Sequence, residues 1–153
     1  MEESAWDGRV VRIVSRRSGY VLTAPDASQG AWIVQSKDDG LDRQRWRLTW
    51  ISEPDAYKIA NLYSGKILEV LAADPADGTP INQWDDNGGR HQQWYLIEHT
   101  DAAGSFYQIQ NVGTGGSADV RGGPDGDESL ADGAPIIQWG YQGVINQQWL
   151  ISE

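Results

Sequence analysis

The chain of 153 residues has no cysteine, one phenylalanine, one methionine and two histidines. The missing thiols exclude disulfide staples and a thiolate nucleophile, and they fit a reducing compartment. With histidine confined to His91 and His99, a metal centre of the His/Cys type has too few ligands. A Ser/His/Asp triad would need one of the same two residues, and neither stands in a nucleophile motif. Positive charge is also scarce: 12 Lys and Arg face 22 Asp and Glu, for a net charge of −10. Such a balance repels a phosphate backbone, so nucleic acid is not an expected partner. The arginines of the first third, Arg16, Arg17, Arg43, Arg45 and Arg47, read as solvated faces. No run of eighteen apolar residues is present, so membrane insertion through a helix is not expected. The start, MEESAWDGR, is acidic and lacks the apolar stretch of a secretory leader. The expectation is a cytoplasmic protein, released if at all by a non-classical route. No pair of carboxylates stands out for glycoside hydrolysis, so neither an enzymatic activity nor a cofactor is expected.

What is abundant is tryptophan, with eight residues, and glycine, with eighteen. Both recur at fixed spacing. Gly30 to Trp46, Gly78 to Trp94 and Gly133 to Trp149 each span sixteen positions, reading GAWIVQSKDDGLDRQRW, GTPINQWDDNGGRHQQW and GAPIIQWGYQGVINQQW. Each has an apolar residue three on, Gln five on, Gln fourteen on and Trp at the end. Upstream, Ile13, Ile59 and Ile109 lie six residues before Gly19, Gly65 and Gly115, and Leu22-Thr23-Ala24, Leu68-Glu69-Val70 and Ala118-Asp119-Val120 follow. The gaps between the two glycines of each copy are 11, 13 and 18 residues, so length variation is confined to one loop. Three copies of roughly fifty residues define a repeat architecture, with boundaries near 8–52, 53–103 and 104–153 in one domain covering 1–153.

Within each copy the pattern is that of short strands. Val10 to Val14, Tyr57 to Asn61 and Tyr107 to Asn111 alternate with period two. A Ser/Gly or Thr/Gly turn and a second strand come next: Tyr20 to Ala24, Ile67 to Leu71, Ser117 to Val120. Third strands fit Ala31 to Gln35, Pro80 to Trp84 and Pro135 to Trp139, and fourth strands Gln44 to Thr49, Gln92 to Ile97 and Gln147 to Ile151. The loops before each terminal Gln-x-Trp allow one short helical turn. Four strands cannot bury their own apolar face, whereas three sets can close around a pseudo-threefold axis without open edges. Trp46, Trp94 and Trp149 then share the core. Trp84 and Trp139, each at a strand end beside a polar loop, are candidates for a half-exposed ligand surface.

Three Gln-x-Trp endings in register, with YKIANLYSGKILEV, GTPINQW and HQQW in the second copy, resemble the ricin B-chain-like (R-type) lectins. The resemblance covers residues 10 to 152 and implies an all-β fold, the β-trefoil, and carbohydrate binding. It further implies that each sugar site takes an acid from the second strand, an aromatic from the end of the third, and a polar residue before the terminal Gln-x-Trp. The Gln of that tripeptide orients the acid. A pyranose suits such a set, because a ring covers its C–H face and a carboxylate accepts charge-assisted bonds from its hydroxyls. By this resemblance the third copy is complete, with Asp119, Trp139, Asn146 and Gln147. Ile137 stands there where some family members carry a polar residue. The second copy, with Glu69, Trp84, His91 and Gln92, is altered and expected to be weaker. The first, with Thr23, Ser36, Arg43 and Gln44, lacks both acid and ring and is expected to bind no sugar.

The expected ligands, again through the resemblance, are galactose or N-acetylgalactosamine glycans bound mainly by the third copy. A xylan-type polysaccharide module, or a protein-binding trefoil such as a protease inhibitor, are the alternatives, since one fold hosts several functions. One shallow site gives monosaccharide affinity near millimolar, about 4 kcal/mol. Useful avidity therefore calls for a second active copy or a homodimer. The insertion Gly122 to Asp132, GGPDGDESLAD, does not have the spacing of a calcium loop and reads as a solvated loop at the rim of the third site.

Overall fold

The computed structural model describes residues 5–153; Met1 to Ser4, the first part of the acidic start, lie outside them. The copies fold as expected into four strands each. They are β1 (Val10–Ser15), β2 (Val21–Thr23), β3 (Val34–Ser36) and β4 (Trp46–Ile51); β5 (Ala56–Asn61), β6 (Ile67–Val70), β7 (Ile81–Trp84) and β8 (Trp94–Asp101); β9 (Gly104–Asn111), β10 (Ser117–Val120), β11 (Ile136–Trp139) and β12 (Trp149–Ser152). Among the described residues there is no α-helix.

Six of these strands form a closed barrel. Strand β1 pairs β4, β4 pairs β5, β5 pairs β8, β8 pairs β9, β9 pairs β12, and β12 returns to β1, all antiparallel. Closure leaves the barrel without an edge. The other six form hairpins β2–β3, β6–β7 and β10–β11 that cover one end. Single bridges join the hairpins in a ring: Trp32 to Asn82, Pro80 to Ile137, and Val34 to Pro135. This is the β-trefoil.

The strands start later than the sequence suggests at two places in each copy. Gln44, Gln92 and Gln147, expected to open the fourth strands, instead end the 3-10 turns Asp42–Gln44, Arg90–Gln92 and Ile145–Gln147. Each backbone N–H bonds three residues back, to the carbonyl of Leu41, Gly89 or Val144. The turn lets the side chain reach inward, and the strand begins two residues later at tryptophan. In the third strands, Pro80 and Pro135 have no N–H to give to a ladder and make only single bridges.

The core holds Trp46, Trp94 and Trp149, all fully buried, as expected. Each indole N–H donates to a carbonyl of its own second strand: Leu22 at 3.0 Å, Leu68 at 2.8 Å and Ala118 at 3.1 Å. The polar end of a large ring is thereby satisfied without water. Around them pack Ile13, Leu48, Ile59, Leu68, Ile109 and their neighbours.

A second set of buried glutamines ties the copies together. The side-chain amide of Gln35 donates to the carbonyls of Ser129 and Ala131 at 3.1 and 2.8 Å. That of Gln83 reaches Asp26 and Ser28, and that of Gln138 reaches Asp74 and Ala76. Each copy thus holds the long loop of another, and the three links close a cycle. Their carbonyl oxygens accept from Ser18, Ser64 and Thr114 in the turn before the second strand.

Removing one indole opens a cavity and leaves a carbonyl without its donor. Trp94→Ala should therefore lower unfolding free energy by about 3–5 kcal/mol, read as a shift of the urea midpoint. A loss below about 1 kcal/mol would contradict the core assignment.

Candidate functional site

The antiparallel register of β10 and β11 sets Asp119 opposite Ile137 and Ser117 opposite Trp139. Directly opposed residues share a sheet face, so acid and ring rise on the same side of the hairpin. The last turn before Trp149 lies across them. Asn146 donates its amide to Asp119 Oδ1 at 2.9 Å and to the Val120 carbonyl at 3.1 Å. Gln147 donates to Asp119 Oδ2 at 3.1 Å. All four residues expected in the third copy are therefore brought together. Asp119, Trp139 and Asn146 line a cleft of about 320 Å³, with Arg121, Gly122, Gly123, Pro124, Ile137, Gln142 and Val144 as further walls; Gln147 holds the acid without lining the cleft.

The chemistry of this cleft is uneven in a useful way. Asp119 is only 6% exposed, so burial disfavours its ionised form and raises its pKa from 3.8 to about 6, against the lowering effect of the Gln147 and Asn146 hydrogen bonds. Each carboxylate oxygen holds one amide and keeps acceptor capacity for another donor. Asn146 Oδ1 is buried and has no hydrogen-bond partner in the protein, which is uncommon for a buried polar atom. Beside these groups the Trp139 ring remains 37% exposed. It lies against Gly78, where an added Cβ would stand 3.7 Å from the ring. Ring and carboxylate together offer an apolar face next to hydroxyl acceptors.

The Gln of each Gln-x-Trp also shapes the adjoining loop. Gln147 Oε1 accepts from the Gln142 N–H at 2.7 Å while its amide donates to the Gly140 carbonyl at 3.0 Å. On the outside of this loop, Tyr141 stacks on His99 at 5.5 Å, and His99 on Phe106 at 5.4 Å. The Arg16 guanidinium covers Phe106 at 4.5 Å and pairs with Asp101.

In the second copy Glu69, Trp84 and His91 line a smaller cleft of about 250 Å³, and Gln92 bonds the acid. The longer acid is held differently. Gln92 donates to Glu69 Oε1 at 2.9 Å, and His91 Nε2 lies 3.3 Å from the same oxygen, so both contacts fall on one atom. Trp84 is 40% exposed and packs against Gly30 as Trp139 does against Gly78. Asn82 takes the position of Ile137 and is cross-strand from Glu69; neither of its amide atoms bonds to the protein.

The first copy lacks this chemistry. Thr23 turns its hydroxyl to the Val21 carbonyl at 2.7 Å and receives Gln44 at 3.3 Å, Ser36 has no ring to offer, and Arg43 is engaged by Asp39. Yet a hollow of about 560 Å³, larger than either cleft, adjoins it, between Pro25, Asp26, Leu41, Arg43 and Tyr63. Size and chemistry disagree here. The hollow excludes Thr23 and Ser36, so the third cleft, with its oriented acid and ring, is the better candidate.

The uneven loop length already marks Gly122 and Gly123 as rim residues, and they are cleft walls. Arg121, Gln142 and Val144 are further walls that no sequence signal singles out. Among the described residues no group of three His, Asp or Glu is placed to hold a metal ion, and no helix is long and apolar enough to cross a membrane.

The family profile described as ricin-type beta-trefoil lectin domain-like matches residues 3–84, 42–139 and 90–153. No curated protein matches the chain by sequence. Among solved structures, the designed threefold-symmetric protein ThreeFoil is 34% identical with a TM-score of 0.83, over 94% of this chain and 98% of that one. The exo-beta-1,3-galactanase 1,3Gal43A from Clostridium thermocellum is 32% identical with a TM-score of 0.82, over 93% of this chain but only 29% of that one. The ricin B-like lectin of Macrolepiota procera, solved in complex with lactose, is 21% identical with a TM-score of 0.77 over 96% of both chains; at that identity the likeness concerns the fold.

The raised pKa of Asp119 has a defined sign. Between 3.8 and about 6 the folded state keeps a proton that the unfolded chain has released. Asp119 therefore favours folding most below pH 3.8, and that contribution is lost as pH rises through about 6. Asp101, lowered to about 2 by its hydrogen bond from Arg16, acts oppositely, and its support is lost as pH falls through that value. Carboxyl carbon NMR should give Asp119 a midpoint near pH 6; a midpoint near the ordinary 3.8 would contradict the burial argument.

Proposed function

Because the chain belongs to the ricin-type beta-trefoil lectin domain-like family, we propose that it is a non-enzymatic lectin taking galactose or N-acetylgalactosamine glycans, mainly in the third cleft. The observation that carries this reading is the buried Asp119, oriented on both oxygens by Asn146 and Gln147 under the half-exposed Trp139 ring. Adjacent sugar hydroxyls donate to the remaining lone pairs of the carboxylate. The unpaired Asn146 Oδ1 accepts from a further hydroxyl, and the C–H face of the pyranose covers Trp139. An axial 4-hydroxyl leaves one face of the ring free to stack while adjacent hydroxyls meet the acid, which suits the galactose configuration. The lactose bound by the Macrolepiota procera lectin agrees with that choice.

The second cleft acts as a weaker site. Its acid concentrates both contacts on one oxygen and faces an imidazole instead of an amide. The first copy does not bind by this chemistry. Two unequal sites, or a homodimer that doubles the strong one, supply avidity.

Ionised Asp119 is the acceptor, so binding should fall as pH drops through about 6. A glycan array on wild type and on Asp119→Ala and Trp139→Ala tests the assignment. Galactose-type signals should be lost in both variants while circular dichroism and melting stay those of a folded trefoil. Signals retained in both would move the site elsewhere, to Glu69, Trp84 and His91 first. A blank array from folded wild type would remove the galactose reading and turn the search to xylan-type polymers and protein partners.

A further inference from the structure

The loop between β10 and β11 is longer than its two counterparts, and its extra residues are built into the structure. Three separate contacts hold it. Arg121 pairs with Glu128 at 2.8 Å. Gln35 grips the carbonyls of Ser129 and Ala131. Arg17, from the turn after β1 in the first copy, donates Nε to Ser129 Oγ at 2.7 Å and Nη2 to the Gly126 carbonyl at 3.0 Å. Ser129 is fully buried, and its hydroxyl donates to the Gly123 carbonyl at 2.7 Å. The loop folds so tightly that a Cβ on Gly126 would stand 2.1 Å from the Gly122 carbonyl oxygen. Gly122, Gly123 and Pro124 from this loop wall the third cleft, whereas the second cleft has only Leu71 and Ala72 there.

We propose that the insertion forms a second subsite of the third cleft, receiving the sugar unit next to the one held by Asp119, with Arg17 as its positioning residue. This rests on the galactoside reading above. A wall tied down at so many points is preorganised, so a ligand that reaches it loses little to loop ordering. The third cleft therefore takes a disaccharide or longer chain in preference to a monosaccharide. The extension it accepts is neutral. Asp125, Asp127 and Glu128 are exposed around the loop and Asp119 lies below, while the one nearby cation among the described cleft residues, Arg121, is spent on Glu128. An anionic sugar would meet like charges here. Arg17 does not line the cleft, so its loss leaves the acid and the ring in place.

Titration calorimetry of wild type, Arg17→Ala, Arg17→Lys and Gly126→Ala with methyl β-galactoside, lactose, β-1,3-galactobiose and sialyllactose tests this. Wild type should bind at least one neutral disaccharide about tenfold more tightly than the methyl galactoside and gain nothing from sialylation. Arg17→Ala and Gly126→Ala should lose most of that preference while their affinity for the methyl galactoside stays put. Arg17→Lys, which keeps one donor of two, should fall between. Circular dichroism checks that each variant is folded, and the two substitutions reach the loop by different routes. Equal wild-type affinity for the methyl galactoside and both disaccharides, or a preference untouched in both Arg17→Ala and Gly126→Ala, overturns the subsite alone. No binding of any of the four sugars by wild type overturns the galactoside reading together with it.

Discussion

The interaction on which the structure depends is the primary amide of one glutamine, repeated three times. Gln44, Gln92 and Gln147 are buried and use both ends of their side chains. The oxygen accepts the N–H of Asp39, Asn87 or Gln142 at 2.7 to 2.9 Å. The nitrogen donates to the carbonyl of Lys37, Asp85 or Gly140 and to the side chain of Thr23, Glu69 or Asp119. One residue thus closes the loop before the tryptophan and meets the second strand. A buried amide left unpaired costs about 1–3 kcal/mol. No apolar residue, and no side chain lacking either donor or acceptor, can take this place. The same brace that shapes the loop also aims whatever occupies the second-strand position, so fold and candidate site share a single support.

In the three copies the brace is constant and its target varies. With threonine the contact is a neutral hydrogen bond that ends in the scaffold. With glutamate the carboxylate reaches far enough to collect glutamine and histidine on one oxygen. With aspartate the two oxygens are divided between Gln147 and Asn146, and burial raises the acid's pKa. Backbone symmetry therefore does not carry over to chemistry. It provides three equivalent seats, and the occupant of each decides what the seat can hold.

Much of this was legible because the repeats are written in residues whose role is local. Glycines at turn positions, alternating strands and the Gln-x-Trp endings report backbone geometry and burial directly. Trp46, Trp94 and Trp149 lie in the core as their pattern indicates. The fourth strands begin later than the pattern indicates because Gln44, Gln92 and Gln147 look like the first polar residue of a ladder, yet a 3-10 turn serves their side chains better. The cleft walls Gln142 and Val144, and the role of Arg17, left no local signal. Arg17 sits beside Arg16 in an apparent surface cluster, but Arg16 pairs with Asp101 and Arg17 crosses to a loop 112 residues away.

The sequence by itself determined the repeat, the closed β architecture, the tryptophan core and which copy carries acid, ring and amide together, because each depends on residue type at a fixed spacing. Tertiary structure alone decided how these groups are tuned. Asp119 has its raised pKa because the turn before Trp149 and the β10–β11 hairpin fold over it, and desolvation is a property of the surroundings. The insertion became a wall because Gln35 and Arg17, both from the first copy, close on it around the pseudo-threefold axis. Such contacts join residues far apart in the chain, and only the closure of the barrel brings them within hydrogen-bonding distance.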